Sequence, residues 1–302
     1  MNLQNILAKL NIERLNEMQQ QALQAAQTHA NIVLLSPTGT GKTLAFLLPI
    51  LEQLKANVSG IQAVILVPSR ELAIQIEQVF KKITTEFKIN ACYGGHNTRT
   101  ELNNLSSPPA VLVGTPGRVA FHLRTASFSP NAVHTYVIDE FDKALEMGFQ
   151  QDMDFIISAF ANIKFSMLIS ATPLATIPAF TGIREPKEIN FLKHTNSKPL
   201  ITFKQVNFKA EEKLEVLMQL IGKIGNENML IFCNHRDAVD RISETLTNKG
   251  VANTSFHGGL AQDDRERALL KFKNKSSRIL ITTDLAGRGL DLPEVGCVIH
   301  YQ

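Results

Sequence analysis

Apolar and polar positions follow two rhythms along this chain. Short apolar runs at 31–36, 63–68, 89–93, 110–114, 135–139 and 165–170 each give way to a turn or a helical pattern. The helical rhythm is plain over 70–85, where Leu72, Ile76, Val79 and Ile83 recur about every 3.6 residues and leave Gln75, Gln78 and Lys82 on the other side. Strands alternating with helices predict a mostly parallel sheet with helices on both faces. Ligands of such sheets bind at the carboxyl ends of the strands. The stretch Lys193 to Pro199 is polar and reads as a linker. The alternation then resumes, with strands predicted at 201–208, 228–233, 251–256, 278–283 and 297–301 and helices near 211–223, 236–248 and 262–272. The fold class is therefore α/β in two domains, 1–192 and 201–302, joined by 193–200. The second is short for a complete domain of this type and is read as partial.

The length of 302 residues agrees with two domains and ample core. Formal charge is only +3, balanced at 15 basic and 15 acidic residues through Leu192 and 16 against 13 beyond it. Any nucleic-acid binding must then come from a local groove rather than from bulk charge. Cys92, Cys233 and Cys297 are far apart in sequence and form no Cys-x-x-Cys pair, so they read as small core residues rather than disulfides or a zinc site. No signal-like or membrane-spanning stretch is visible, which makes a cytoplasmic protein, free of membrane contact, the expectation.

Two segments carry chemistry. Residues 31–43 run from an apolar strand into Ser36-Pro37-Thr38-Gly39-Thr40-Gly41-Lys42-Thr43, with an amphipathic pattern from Leu44. This is the strand, loop and helix context of a phosphate-binding loop, with Ser36 where the generic pattern has its first glycine. Gly39 and Gly41 let backbone N–H groups turn onto phosphates, aided by the positive end of the following helix. Lys42 would reach the β/γ-phosphates and Thr43 would hold Mg²⁺. The second segment, 137–142, delivers Asp139 and Glu140 at a strand end with Asp142 just beyond. Asp139 can hold Mg²⁺ through its water shell while Glu140 orients or deprotonates an attacking water.

In their order along the chain, these segments resemble motifs of the DEAD-box family of ATP-dependent RNA helicases, in helicase superfamily 2. That resemblance covers essentially the whole chain. It implies two RecA-like domains, with ATP and Mg²⁺ as cofactors and RNA as partner. Glu17-Met18-Gln19 with Gln20-Gln21-Ala22 looks like the family's adenine-reading motif, in which Gln19 would hydrogen-bond the adenine edge. Asn16 stands where the family usually has Thr or Ser, and Leu3 where an aromatic residue is expected. Asp139 to Asp142 resembles the signature tetrapeptide with Phe141 in place of Ala. Ser170-Ala171-Thr172 matches the family's Ser-Ala-Thr motif, whose hydroxyls would bond Asp142 and relay nucleotide state. Pro68-Ser69-Arg70, Gly94-Gly95 and Thr115-Pro116-Gly117-Arg118 resemble its RNA-facing motifs, with Arg70 and Arg118 on phosphates. In the second half, Leu230 to Asn234, His257-Gly258-Gly259 with Gln262 and Arg265, and Thr283 to Asp291 resemble later motifs. Gly258 and Thr283 would meet RNA, Gly289 the ATP phosphates and Asp291 the ribose.

A final arginine-bearing motif of the family does not occur in the 302 residues. The chain is accordingly expected to be part of a longer helicase. Its arginines would add about 10³–10⁵ in rate. The resemblance implies a monomer that closes two domains on ATP and single-stranded RNA, gripping the backbone largely without regard to sequence. Closure would bend one strand and separate short duplexes or remodel ribonucleoprotein partners. A non-hydrolysing ATP-gated RNA clamp and a DNA-directed helicase are the alternatives.

Overall fold

A computed structural model of the protein describes residues 2–95, 98–192, 201–209, 212–284, 292 and 295–301. The chain divides into two compact units, Met1–Lys198 and Pro199–Gln302. The first runs α1 (Leu3–Lys9), α2 (Glu17–Ala26), β1 (Asn31–Leu35), α3 (Lys42–Gln53), β2 (Ala63–Leu66), α4 (Arg70–Ile83), β3 (Ile89–Cys92) and α5 (Thr98–Ser106). It continues through β4 (Val111–Gly114), α6 (Pro116–Arg124), β5 (Thr135–Ile138), α7 (Phe141–Glu146), α8 (Gln150–Ser158), β6 (Phe165–Ser170) and β7 (Lys187–Asn190).

Its strands pair in parallel in the order β3-β4-β2-β5-β6-β1-β7. Both faces of the inner strands are covered, which is why β1, β2, β4 and β5 read as nearly unbroken apolar runs. Side-chain parity sorts each strand into two cores: Ile32 and Leu34 of β1 pack with α2, α3 and α4, whereas Val33 and Leu35 pack with α6, α7 and α8. Helix α3 is apolar nearly all round, with Leu44 to Leu51 buried between the sheet and α2. Each such Leu or Ile contributes about 1.5–3 kcal/mol by leaving water.

The second unit contains α9 (Lys213–Ile224), β8 (Met229–Phe232), α10 (Arg236–Asn248), β9 (Thr254–Phe256), α11 (Gln262–Lys273), β10 (Ile279–Thr282) and β11 (Cys297–His300). Its four strands are parallel in the order β11-β8-β10-β9. Cys92 and Cys233 are buried free thiols, and Cys297 is half-buried.

The predicted strands recur with one exception, shortened by at most two residues in all but 251–256, which keeps only Thr254–Phe256. Residues 201–208 form no strand. Their apolar parity switches midway, with Ile201 and Phe203 on odd positions but Val206 and Phe208 on even ones, so neither face can be buried whole. All four side chains are exposed, Phe203 by 90%. The helix expected over 70–85 ends at Ile83, and Phe80 joins its buried face. The linker 193–200 lies outside the described residues.

Candidate functional site

Strand order assembles the site. β1, β6 and β5 are neighbours, and their carboxyl ends carry the Ser36–Thr43 loop, the Ser170–Thr172 turn and Asp139–Asp142 respectively. β2, β4 and β3 follow outward and carry Pro68–Arg70, Thr115–Arg118 and Gly94–Gly95. The carboxyl ends of the strands are thus divided into a half bearing the Ser36–Thr43 loop and the acidic residues and a half bearing Arg70 and Arg118.

The loop is braced from two sides. Ser36 N–H donates to the Ser170 carbonyl at 3.0 Å, joining β1 to β6 beyond the regular ladder. Ser36 Oγ lies 2.8 Å from Thr40 Oγ1, which donates to the Pro37 carbonyl at 2.9 Å. From the other side, Asn16 and Gln19 form a reciprocal capping box on α2, a pattern readable in the sequence as Asn-x-x-Gln. Asn16 Nδ2 donates to the Thr40 carbonyl at 2.9 Å and Gln19 Nε2 to the Gly41 carbonyl at 3.0 Å. Gln19 is therefore buried against the phosphate loop, its Oε1 accepting from Asn16 N–H. Gly41 adopts φ 85°, a backbone that favours glycine, and a Cβ there would come within 2.6 Å of Gln19 Nε2 and push that amide aside. Thr38 and Gly39 are exposed at the tip, and Thr43 is half-buried in the first turn of α3.

Lys42 is buried and donates to the Ser36 carbonyl at 3.1 Å. Asp139, Glu140 and Asp142 are buried beside it. Burial pushes the Asp139 carboxyl up to about 6, with Asp142 adding to the rise, while Lys42 and the Glu140 N–H at 2.9 Å oppose it. Glu140 is pushed up to about 7 by burial and then by the Asp139 charge, against the pull of Lys42. Glu140 also caps α7 from the left-handed region, at φ 50° and ψ 48°, which costs a non-glycine residue about 1–2 kcal/mol.

Among the described residues, Glu140 Oε2 and Asp142 Oδ1 are buried without a hydrogen-bond partner. Acceptors left open and carboxyls poised to release protons suit a cation and its water shell. Among the described residues no group of three or more His, Cys, Asp or Glu forms a protein-only metal cage. Mg²⁺ needs none, since it binds through one or two carboxylates together with phosphate oxygens. Thr43 and Asp139 are the residues that would hold it.

Thr172 Oγ1 donates to Asp142 Oδ2 at 2.8 Å. Ser170 Oγ instead donates to the Thr172 carbonyl at 2.7 Å and accepts from its N–H, so the expected Ser170 bond to Asp142 is replaced by a local turn that aims Thr172. Phe141 points the other way, fully buried against Phe180, whose ring centroid is 6.4 Å away.

On the outer strands, Pro68 is buried and Ser69 caps α4 by accepting from Leu72 N–H at 3.2 Å. The Arg70 guanidinium lies over Gly95, where a Cβ would be 2.5 Å from Nη1, and a Cβ on Gly94 would be 3.7 Å from Nη2. Thr115 stands at the N-cap position of α6 without a side-chain capping bond, with Pro116 in the first turn. Arg118 is held by Glu101, a buried residue that nothing in the sequence singles out; its partners come from three elements and meet only in the fold. In the second unit, Gly258 is exposed beside buried His257, whose Nε2 lies 2.9 Å from Asp240 Oδ1 and whose Nδ1 accepts from Gly259 N–H. Thr283 is half-buried directly after β10, while Gly289 and Asp291 lie outside the described residues. A cavity of about 670 Å³ lined by Lys9, Glu52, Thr84 and Phe87 sits at the opposite, amino-terminal end of the first sheet, away from all these groups.

The family model for DEAD/DEAH box helicases matches residues 16–179, and that for the helicase conserved C-terminal domain matches 212–302. The chain is 31% identical over 300 residues to the DEAD-box ATP-dependent RNA helicase CshA of Geobacillus kaustophilus, covering 98% of this chain and 64% of that protein. It is 31% identical to the ATP-dependent RNA helicase DbpA of Escherichia coli, covering 99% of this chain and 68% of that one. Among solved structures, S. cerevisiae Dbp5 bound to RNA and ADP BeF3 superposes with a TM-score of 0.84 at 25% identity, over 98% of this chain and 77% of that one. Mss116 bound to ssRNA and UDP-BeF gives 0.81 at 26%, over 99% and 66%. Both sheets match the RecA-like architecture of these structures, the second with four described strands. Phosphate loop, acidic strand end, Ser-Ala-Thr turn and two matching family models converge on one assignment: this chain belongs to the DEAD-box RNA helicase family.

Proposed function

We propose that this chain is the nucleotide- and RNA-binding core of an ATP-dependent RNA helicase, coupling RNA-stimulated ATP hydrolysis to local separation of short duplexes. The observation that carries the reading is that the carboxyl ends of one sheet's strands carry the Ser36–Thr43 loop and Asp139–Asp142 on one side and Arg70 and Arg118 on the other, the two sides meeting where β5 pairs with β2. Lys42 and the N–H groups of the 36–43 loop bind phosphates, and Gln19 reads adenine while bracing the loop. Asp139 and Thr43 hold Mg²⁺, which when bound neutralises charge developing on the phosphates. Glu140, raised to about 7, is suited to accept a proton from the attacking water near neutral pH.

The Asp139 strand pairs with the strand that precedes Arg70, with Asp139 N–H donating to the Leu66 carbonyl at 2.9 Å, so the nucleotide side adjoins the Arg70 and Arg118 strands, where phosphate contacts give grip without sequence preference. Gly258 and Thr283 extend the RNA contacts, and Gly289 and Asp291 the nucleotide contacts, in the second unit. We further propose a monomer working in the cytoplasm on ribonucleoprotein partners, with 193–200 as linker between domains 1–192 and 201–302. No described helix is long and apolar enough to cross a membrane.

The test is RNA-stimulated phosphate release by the full-length protein against its Glu140→Gln variant. Wild type should be faster by at least about a hundredfold, the scale of a lost general base. Equal rates would sink the assignment, and ATP-dependent RNA retention without phosphate release would mark a clamp instead.

A further inference from the structure

The Arg118 guanidinium is held by groups outside the family motif. Glu101 is 2% exposed, and its carboxylate accepts hydrogen bonds from Tyr93 N–H at 3.2 Å, from Arg118 Nε at 2.6 Å and from His122 Nε2 at 2.7 Å. Arg118 Nη2 donates to Thr98 Oγ1 at 2.9 Å. Among the described residues Nη1 makes no hydrogen bond, and the side chain keeps 14% of its surface in contact with solvent. These partners belong to the turn after β3, to α5 and to α6, the elements around the Gly94-Gly95 and Thr115–Arg118 loops.

We infer that Glu101 is a positioning residue for RNA binding: with Thr98 it fixes two of the three guanidinium nitrogens of Arg118 and leaves Nη1 as the donor for a phosphate oxygen. This rests on the reading of Arg118 as an RNA contact. The guanidinium fork is planar whatever it binds, but the stem that carries it is flexible, and an untethered one would lose rotamer freedom on binding. Glu101 performs the tethering and also ties the Arg118 helix to the backbone at Tyr93, so the two RNA-facing loops move as one piece. Its carboxyl suits the task. Burial alone would raise it, but the bonds from His122 and Arg118 and the Arg118 charge hold it below the ordinary glutamate range, so it stays an acceptor. His122 is fully buried, and its Nδ1 has no partner among the described residues, so Glu101 is its anchor.

The experiment measures affinity of the chain for a fluorescein-labelled uridine decamer by anisotropy, with a non-hydrolysable ATP analogue present. Affinity for a labelled ATP analogue and thermal unfolding are recorded in parallel, for wild type, Glu101→Gln, Arg118→Ala, the double variant and Thr98→Val. Glu101→Gln should weaken RNA binding about tenfold, the scale of one charge-assisted hydrogen bond, and to the same degree as Arg118→Ala. The double variant should be no weaker than Arg118→Ala alone, and nucleotide affinity should stay within about twofold. Thr98→Val, which spares the buried carboxylate, should weaken RNA binding about two- to threefold. The inference is overturned if Glu101→Gln binds RNA like wild type, if its loss multiplies with that of Arg118→Ala, or if nucleotide affinity falls in step with RNA affinity. A wild-type chain that ignores RNA overturns the functional reading itself, and the positioning role with it.

Discussion

Replacing Phe141 by alanine should cost the first unit's fold far more than its chemistry. The ring is fully buried in the core layer that includes Tyr136, Ile138, Met153 and Ile156. Truncation in such a place typically costs about 3–5 kcal/mol, the lost transfer energy plus the cavity left behind. Phe180 meets the ring at 6.4 Å from a single 3₁₀ turn and is only half-buried, so it can move inward and fill part of the void. That places the expected loss near the lower end, about 3 kcal/mol. For a unit of this size the melting temperature should fall by about 6–12 °C. Calorimetry of wild type, Phe141→Ala, Phe180→Ala and the double variant gives the value and a coupling of about 1 kcal/mol between the rings. Affinity for an ATP analogue, measured well below the melting point, should be unchanged. A shift under about 2 °C, or an intact melt with lost nucleotide affinity, would refute the packing argument.

Gly41→Ala should weaken ATP-analogue binding at least about tenfold, because the left-handed backbone disfavours alanine and the new methyl displaces the Gln19 amide; isothermal titration reads this directly. Thr172→Ala removes the hydrogen bond that Asp142 accepts through Oδ2, with Oδ1 already lacking a partner among the described residues. It should cost about 1–3 kcal/mol in denaturant unfolding and lower RNA-stimulated ATPase more than the basal rate. In EDTA, stability should fall as pH rises. Asp139 and Glu140 bind protons more tightly folded than unfolded, so their contribution is full below about pH 4 and lost as pH passes about 6 and then about 7. Between pH 5 and 8 the loss should be about 2–4 kcal/mol, and an Asp139→Asn, Glu140→Gln double variant should lack that part of the slope.

Much of this was legible because local chemistry and global position coincide. β1, β2 and β5 could be found because they are buried on both faces and hence apolar without interruption. Lys42 and Asp139 could be found because a glycine turn and a charged strand end keep their meaning without long-range information. β7 was not legible, since of Lys-Glu-Ile-Asn only Ile189 is buried and an edge strand needs no more. Residues 201–208 were misread because aromatic and β-branched content suggested a strand, although the parity switch at Val206 denied it a buried face. Glu101 and His122 stayed hidden for another reason. Their partners lie 8 to 21 positions away on different elements, and no pattern along the chain reports that they meet.

The left-handed backbone at Glu140 has a consequence for how this protein tolerates change. A glycine there would relieve about 1 kcal/mol of strain, and removing the carboxylate would also end the burial of a charge against Asp139. With Glu140 as the proton acceptor proposed above, a substitution that ends ATP turnover would then raise the melting temperature. A screen that selects variants for thermal robustness alone would enrich position 140 for glycine and return a stable, inert protein.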